Sequence, residues 1–212
     1  MTMSGNIPEE AITSRDGLQA LSAEENARAG TYRLLAVLLG SPPDEEMLAV
    51  VSGLPSSNNS IGKNVAQLAE RSRQVNPEKV EREFHKLFIG LGEGELVPYG
   101  SYYLSGFLHE KPLARLRVDL RELGVERDSS FCEPEDCIAS VCEVMSGLIS
   151  GDFGTPASLS LQRDFFTKHV GSWGDQFFVD LESASSAYFY RPVGSLGRNF
   201  LQLEAEAFSI EN

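Results

Sequence analysis

The sequence predicts an all-α protein: a single-domain helical bundle of roughly nine or ten helices over residues 1–212. Apolar residues recur at spacings of three and four in one window after another. Proline and glycine fall between those windows as starts and stops, and no run alternates polar with apolar as a half-buried strand would. A chain of 212 residues is also long enough to bury a substantial core.

Ser22 and Glu25 fit a capping box at the start of the first helix. Tyr32, Leu35, Ala36 and Leu39 continue it until Gly40 and Pro42. A second helix is expected from Pro43, with Asp44, Glu45 and Glu46 in its first turn and Met47, Val50, Val51 and Leu54 inside. Pro55 to Ser60 is a polar loop, and a third helix runs from about Ile61 to Val75. Asn76 and Pro77 form cap and first residue of a fourth, with Val80, Phe84, Leu87 and Phe88 on its apolar side. Gly90 to Gly94 ends it.

The aromatic segment Val97 to Phe107 has no decisive periodicity; strand, short helix and ordered loop all remain open. Pro112 starts a helix with Leu113, Leu116, Leu120 and Leu123 inside and Gly124 as its stop, and Val125 to Cys132 is a polar connection. Glu133-Pro134-Glu135-Asp136-Cys137 is expected to open the next helix, Pro134 as first helical residue and Glu135 and Asp136 in the first turn. Ile138, Val141, Cys142, Met145, Leu148 and Ile149 then form one stripe. Thr155 and Pro156 begin a largely buried helix, and Phe177, Phe178, Leu181 and Tyr188 mark another that Arg191-Pro192 breaks. Val193, Leu196, Phe200 and Leu203 make the last.

Composition narrows the function. A net charge of −13 argues against binding nucleic acid or an anionic membrane, which needs clustered Lys and Arg. It suits a basic partner. The longest apolar run, Leu34 to Leu39, is far too short to span a bilayer, and Met1 to Thr13 has neither the basic nor the apolar part of a secretory signal. Cys132, Cys137 and Cys142 stand five residues apart, without a Cys-x-x-Cys pair or a nearby histidine. No metal site is expected, and the odd number of thiols fits a reducing, cytoplasmic setting. His85, His109 and His169 are scattered, and no nucleophile, Walker or zinc motif occurs. The glycine cluster at 90–94 follows a helix, lacks the dinucleotide spacing and carries acids that would repel phosphate. No catalytic residue and no cofactor is expected; a binding protein fits better than an enzyme.

Three segments together resemble the TorD/DmsD family of cytoplasmic redox-enzyme maturation chaperones, related more distantly to NarJ and the nitrate reductase delta proteins. They are Glu83-Phe84-His85-Lys86-Leu87-Phe88-Ile89-Gly90, Pro98-Tyr99-Gly100-Ser101-Tyr102-Tyr103-Leu104, and the acidic stretch Glu133 to Cys137, similar to the family's Glu-Pro-x-Asp-His. Cys137 stands where the family usually has histidine, so a role carries over more firmly to Asp136 than to Cys137.

The resemblance implies a chaperone that binds the twin-arginine signal peptide or the apo form of a molybdenum-cofactor oxidoreductase until its cofactor is inserted. It implies a site formed by Phe84, Leu87, Phe88, Pro98, Tyr99, Ser101, Tyr103, Glu133, Pro134, Glu135, Asp136 and Cys137. In that site Glu133, Glu135 and Asp136 are expected to receive arginines, and Phe84, Leu87, Phe88, Tyr99 and Tyr103 to line a groove for the apolar stretch. The alternative is a NarJ-like assembly factor that binds a non-signal segment of a nitrate-reductase-type enzyme. A monomer is expected, or a homodimer that exchanges helices about a hinge at residues 90–98.

Overall fold

A computed structural model of the chain describes residues 3–5, 21–90, 94–127 and 133–210. In chain order these form strand β1 (Met3–Gly5), then helices α1 (Ala23–Gly40), α2 (Glu45–Ser52), α3 (Ser60–Gln74) and α4 (Pro77–Phe84). Helix α4 continues into a π-helical turn, His85–Ile89. Next come α5 (Gly100–Ser105), α6 (Lys111–Glu122), strand β2 (Val125–Arg127) and α7 (Ile138–Ser150). Helix α8 (Leu159–Phe165) runs into a second π-helical turn, Phe166–Val170, before α9 (Gly174–Ser183) and α10 (Tyr190–Ile210). The class is all-α, as the periodicity predicts. The expectations for Cys132, for Leu91 to Glu93 and for most of Met1 to Thr13 lie outside the described residues.

The strands are the departure from that class. β1 pairs antiparallel with β2, Met3 opposite Arg127 and Gly5 opposite Val125, inside a stretch the sequence presents as a polar connection. Three residues are too few to display the alternation by which a strand is recognised.

Helix starts governed by near neighbours match the expected chemistry. The Ser22–Glu25 box is closed both ways, at 2.8 and 3.1 Å. Asn76 accepts the N–H of Lys79, with Pro77 following it. At other starts a better cap displaces the expected one. α2 begins after Asp44 and not at Pro43, α3 after Asn59, and α8 after Ser158 and not at Thr155, because each of these side chains accepts an N–H from the first turn.

The chain divides into two compact units. The first comprises the described residues of Met1–Val37 and Tyr99–Ser172; the second comprises those of Leu38–Pro98 and Trp173–Asn212. In the first, α7 is buried all round apart from Glu143 and Ser150, and it packs against α8 and the turn that follows it. Ser146 on α7 donates its hydroxyl to the Ala29 carbonyl of α1 at 3.0 Å.

In the second unit, α10 packs on α9 and α3, and α3 on α2. Glycines set the closeness of α10 to α9. A Cβ on Gly197 would lie 2.2 Å from the Phe178 ring, and one on Gly194 2.6 Å from the Glu182 backbone nitrogen. Helix α9 ends at Ser183, so Tyr188 leaves the expected stripe and is exposed.

The connection from α9 to α10 is held by two carboxylates from a remote part of the chain. Glu83 accepts the backbone N–H groups of Tyr188, Phe189 and Tyr190 at 2.7–3.1 Å. Glu95 accepts those of Ser185 and Ser186. For Glu95, burial alone would raise the carboxyl pKa, but the Ser185 and Ser186 hydrogen bonds outweigh it and hold it below the usual range. Glu83 thus supplies the acceptor that a serine or aspartate supplies elsewhere at a helix start.

Glu83→Ala is expected to lower the urea-unfolding stability by about 2–3 kcal/mol, the scale of hydrogen bonds to a charged group. Glu83→Gln, which keeps one carbonyl acceptor, should lose less. Equal stability for all three proteins would show that the N–H groups do as well in water.

Candidate functional site

The acidic stretch is not the first turn of a helix. Pro134 to Cys137 forms a tight turn, with the Cys137 N–H donating to the Pro134 carbonyl at 3.2 Å, and α7 starts afterwards at Ile138. The turn exists because its residues bind another segment. Tyr99 and Cys137 pair as an isolated antiparallel bridge. The Gly100 N–H donates to the Asp136 backbone carbonyl at 2.9 Å, and the Ser101 N–H to the Asp136 carboxylate Oδ2 at 2.7 Å. Asp136 therefore holds the start of α5, a helix whose own preceding residue, Tyr99, offers no side-chain cap.

This fixes what each carboxylate can do. Asp136 is only 4% exposed, too deep for direct contact with a peptide on the surface. Its Oδ1 and the Ser101 hydroxyl are buried without a hydrogen-bond partner among the described residues. Glu135 is half-buried and takes Nε and a terminal nitrogen of Arg117 at 3.0 and 2.8 Å. Glu133 is exposed, and the Tyr99 hydroxyl donates to it at 2.9 Å. Burial, reinforced by the negative charge of Glu133 and other neighbours, pushes the Tyr99 phenol well above its usual pKa, so it remains a donor. Burial likewise pushes the Cys137 thiol up to about 12, leaving a neutral, enclosed group.

Tyr99, Ser101, Tyr103, Glu133, Pro134, Glu135, Asp136 and Cys137 all belong to the first unit, around α5 and the turn before α7. Phe84, Leu87, Phe88 and Pro98 belong to the second. There Leu87 has no exposed surface, and Phe84 and Pro98 are buried. The Phe84 ring lies 5.0 Å from Phe88 and 5.9 Å from Tyr190, and Phe88 also meets Tyr190 at 5.6 Å and Phe177 at 6.5 Å. These residues form an aromatic core cluster, closed in part by the π-helical turn, where the Gly90 N–H reaches back to the His85 carbonyl.

Exposed apolar surface in the first unit lies elsewhere. Tyr102, Leu104, Phe107 and Leu108 are each more than two-fifths exposed, and Phe107 reaches 70%. Four large apolar side chains in seven residues exceed the scattered exposure normal for a soluble surface. They sit on α5 and the turn after it, where Gly106 adopts φ 80° and closes the helix on the Tyr102 carbonyl. The residues expected from the sequence to line an apolar groove were Phe84, Leu87, Phe88, Tyr99 and Tyr103; the exposed face of α5 is not legible there, because a six-residue helix with no clear period does not show which side is exposed.

One acid–base pair was also missed. His169 Nε2 lies 2.6 Å from Asp119 Oδ2, the Lys168 ammonium 3.4 Å from the same oxygen, and the Phe165 ring packs against the imidazole. Burial drives the His169 pKa below its usual 6.5, and the Asp119 carboxylate offsets this only in part. Asp119 is held low: burial would raise it, but His169 and Lys168 prevail. The neutral imidazole joins α6 to the turn after α8. Among the described residues no group of three or more His, Cys, Asp or Glu side chains is placed to hold a metal ion.

Two outcomes follow from this geometry. Asp136→Asn should destabilise the first unit by about 1–3 kcal/mol, because an amide is a weaker acceptor for the Ser101 N–H, and should increase hydrogen exchange at residues 100–105. Unchanged exchange there would exclude Asp136 as the clamp of α5. Since both His169 and Asp119 are depressed, the unfolded chain binds more protons in acid than the folded one. Stability from His169 is therefore complete above about pH 6.5 and declines as pH falls below it, with Asp119 adding its loss below its usual 3.8. Chemical denaturation across this range should show a shallower decline for His169→Gln.

Comparison with known proteins agrees with this architecture. The TorD chaperone of Vibrio cholerae serotype O1 is 25% identical over 206 residues, covering 87% of this chain and 93% of that protein. The TorD chaperone of Vibrio parahaemolyticus is 24% identical, with 87% and 86% coverage. A solved structure from Archaeoglobus fulgidus, described as a redox enzyme maturation protein, superposes with a TM-score of 0.57 over 89% of this chain and 99% of that one, at 23% identity. The family model for the nitrate reductase delta subunit matches residues 55–179, more than half the length. The chain thus belongs to the nitrate reductase delta subunit family, in which NarJ-like and TorD-like proteins are grouped.

Proposed function

We propose that this protein is a cytoplasmic redox-enzyme maturation chaperone, not an enzyme, that binds the twin-arginine signal peptide of a molybdenum-cofactor oxidoreductase and holds the precursor back until the cofactor is in place. Family membership supports the class. The single observation that supports the mode of binding is the exposed apolar run Tyr102–Leu108, mounted on a helix whose other end is clamped beside the exposed Glu133.

A twin-arginine signal peptide pairs two basic residues with an apolar stretch, and this surface offers a counterpart for each. Glu133, oriented by the Tyr99 hydroxyl, receives an arginine by a charge-assisted hydrogen bond. Phe107, Leu104, Tyr102 and Leu108 receive the apolar part. Helix α5 has six residues and is therefore about 9 Å long at about 1.5 Å per residue, a length that a short extended peptide spans. In this reading Asp136 and Ser101 position the surface without touching the peptide, and Phe84 and Leu87 support the second unit as core. The surplus of acidic residues speeds encounter with a basic peptide. No helix among the described residues is long and apolar enough to cross a membrane.

Titration with a twin-arginine peptide, and with its Lys-Lys counterpart, tests the proposal. The arginine peptide should bind more tightly, and Glu133→Gln and Phe107→Ser should each weaken it by about tenfold with an unchanged helical CD spectrum. Equal affinity for both peptides, indifferent to both substitutions, would favour a NarJ-like factor that recognises a non-signal segment.

A further inference from the structure

The second unit carries an open groove, lined by two arginines, that the signal-peptide reading leaves unused. It has a volume of about 670 Å³ and lies between α3, the end of α9 and the first turns of α10. Two arginines and two glutamates line it: Arg71 and Glu70 from α3, Glu182 from α9, and Arg191 from the first turn of α10. Both glutamates already have partners. Glu182 accepts the Ser195 hydroxyl at 2.8 Å and pairs with Arg198 at 3.2 Å. Glu70 pairs with Arg73 at 3.4 Å and accepts the Gln74 amide at 2.7 Å. Neither Arg71 nor Arg191 has a carboxylate partner among the described residues, in a protein of net charge −13.

Arg71 is also held in place. Its guanidinium stacks 4.1 Å from the centroid of the Tyr188 ring. The Tyr188 hydroxyl is fixed by the Gln74 carbonyl at 2.6 Å, and its backbone N–H by Glu83 at 2.7 Å. A guanidinium held over an aromatic ring keeps N–H groups available for a planar, bidentate acceptor. Arg191 leaves the same Glu83-clamped segment three residues later, so both cations rest on one fixed base.

We propose that this groove binds an acidic peptide segment of a partner protein, its carboxylates paired with Arg71 and Arg191. Seven of the nine residues that line the groove carry polar or charged side chains, and it is open and much larger than a single small anion needs, which suits a hydrophilic chain laid across it. One negative charge on each of two spaced side chains matches two separate guanidiniums. The polarity is the reverse of that at Glu133, so one partner can carry a basic segment for one unit and an acidic segment for the other without competition between them.

The experiment uses the full chain and a fluorescent hexapeptide of aspartate alternating with glycine, its asparagine counterpart and inorganic phosphate, at low ionic strength. The aspartate peptide should bind and the asparagine peptide should not. Arg191→Gln, at an exposed position, should weaken binding by about tenfold, and Arg71→Gln combined with it further. Affinity for a twin-arginine peptide should be unchanged in both variants, which separates failure of this site from failure of the reading at Glu133. Arg191→Lys keeps the charge but loses the fork and should fall between wild type and Arg191→Gln. The proposal is overturned by absence of binding, by equal binding of both peptides, by wild-type affinity in Arg191→Gln, or by displacement of the peptide with phosphate at equal concentration.

Discussion

Carboxylates that accept backbone N–H groups from distant segments hold this structure together. Asp136 holds the first turn of α5 from 35 residues away, and Glu83 holds the start of α10 from 105 to 107 residues away. Glu95 secures the residues just before it. The N–H groups at a helix start must be satisfied when removed from water, and a charged acceptor satisfies several at once. Each clamp therefore fixes where a helix begins, and with it the direction in which that helix presents its side chains. The Tyr102–Leu108 surface depends on the Asp136 clamp, and the Arg71–Arg191 groove on the Glu83 clamp.

The same interaction explains what was legible in the sequence. Starts closed by residues three or four apart, such as Ser22 with Glu25 and Asn76 ahead of Pro77, can be read from local chemistry and are found where expected. Starts closed across the fold cannot. Pro134, Glu135 and Asp136 have the composition of a helix opening, yet they form a turn, because the Asp136 carboxylate is engaged by Ser101 and α7 begins only after Cys137. The pairing of Ser101 with Asp136 is a tertiary fact. Apolar spacing does locate the core residues of α4, but spacing identifies a buried face without saying whether it is filled from within or by a ligand. Phe84 and Leu87 are filled from within, by the aromatic cluster around Tyr190.

Acidic composition carries a related ambiguity. A net charge of −13 invites a picture of a uniformly negative surface awaiting a basic partner. Several of the acids have internal duties instead. Glu83, Glu95 and Asp136 bind backbone, Asp119 binds His169, Glu135 takes Arg117, and Glu182 takes Ser195 and Arg198. Net charge governs the approach of a partner over distances set by salt, whereas the bound complex is decided by which charges remain exposed and unsatisfied at close range. The two units differ in what they present: one shows the exposed Glu133, oriented by the Tyr99 hydroxyl, beside apolar side chains, and the other shows two arginines beside glutamates that already have partners.

That difference bears on how a maturation chaperone can release its client. A single strong site would have to be both tight enough to hold a precursor and weak enough to surrender it. If one client engages both proposed sites, two weaker contacts of opposite polarity gain affinity through effective concentration while each exchanges rapidly. Burying or folding either client segment removes one contact and with it the gain from linkage, so completion of the client itself can trigger release. Such a mechanism needs no nucleotide and no large rearrangement of the chaperone. Each of the two proposed surfaces needs rigid presentation, which the clamps at α5 and α10 supply.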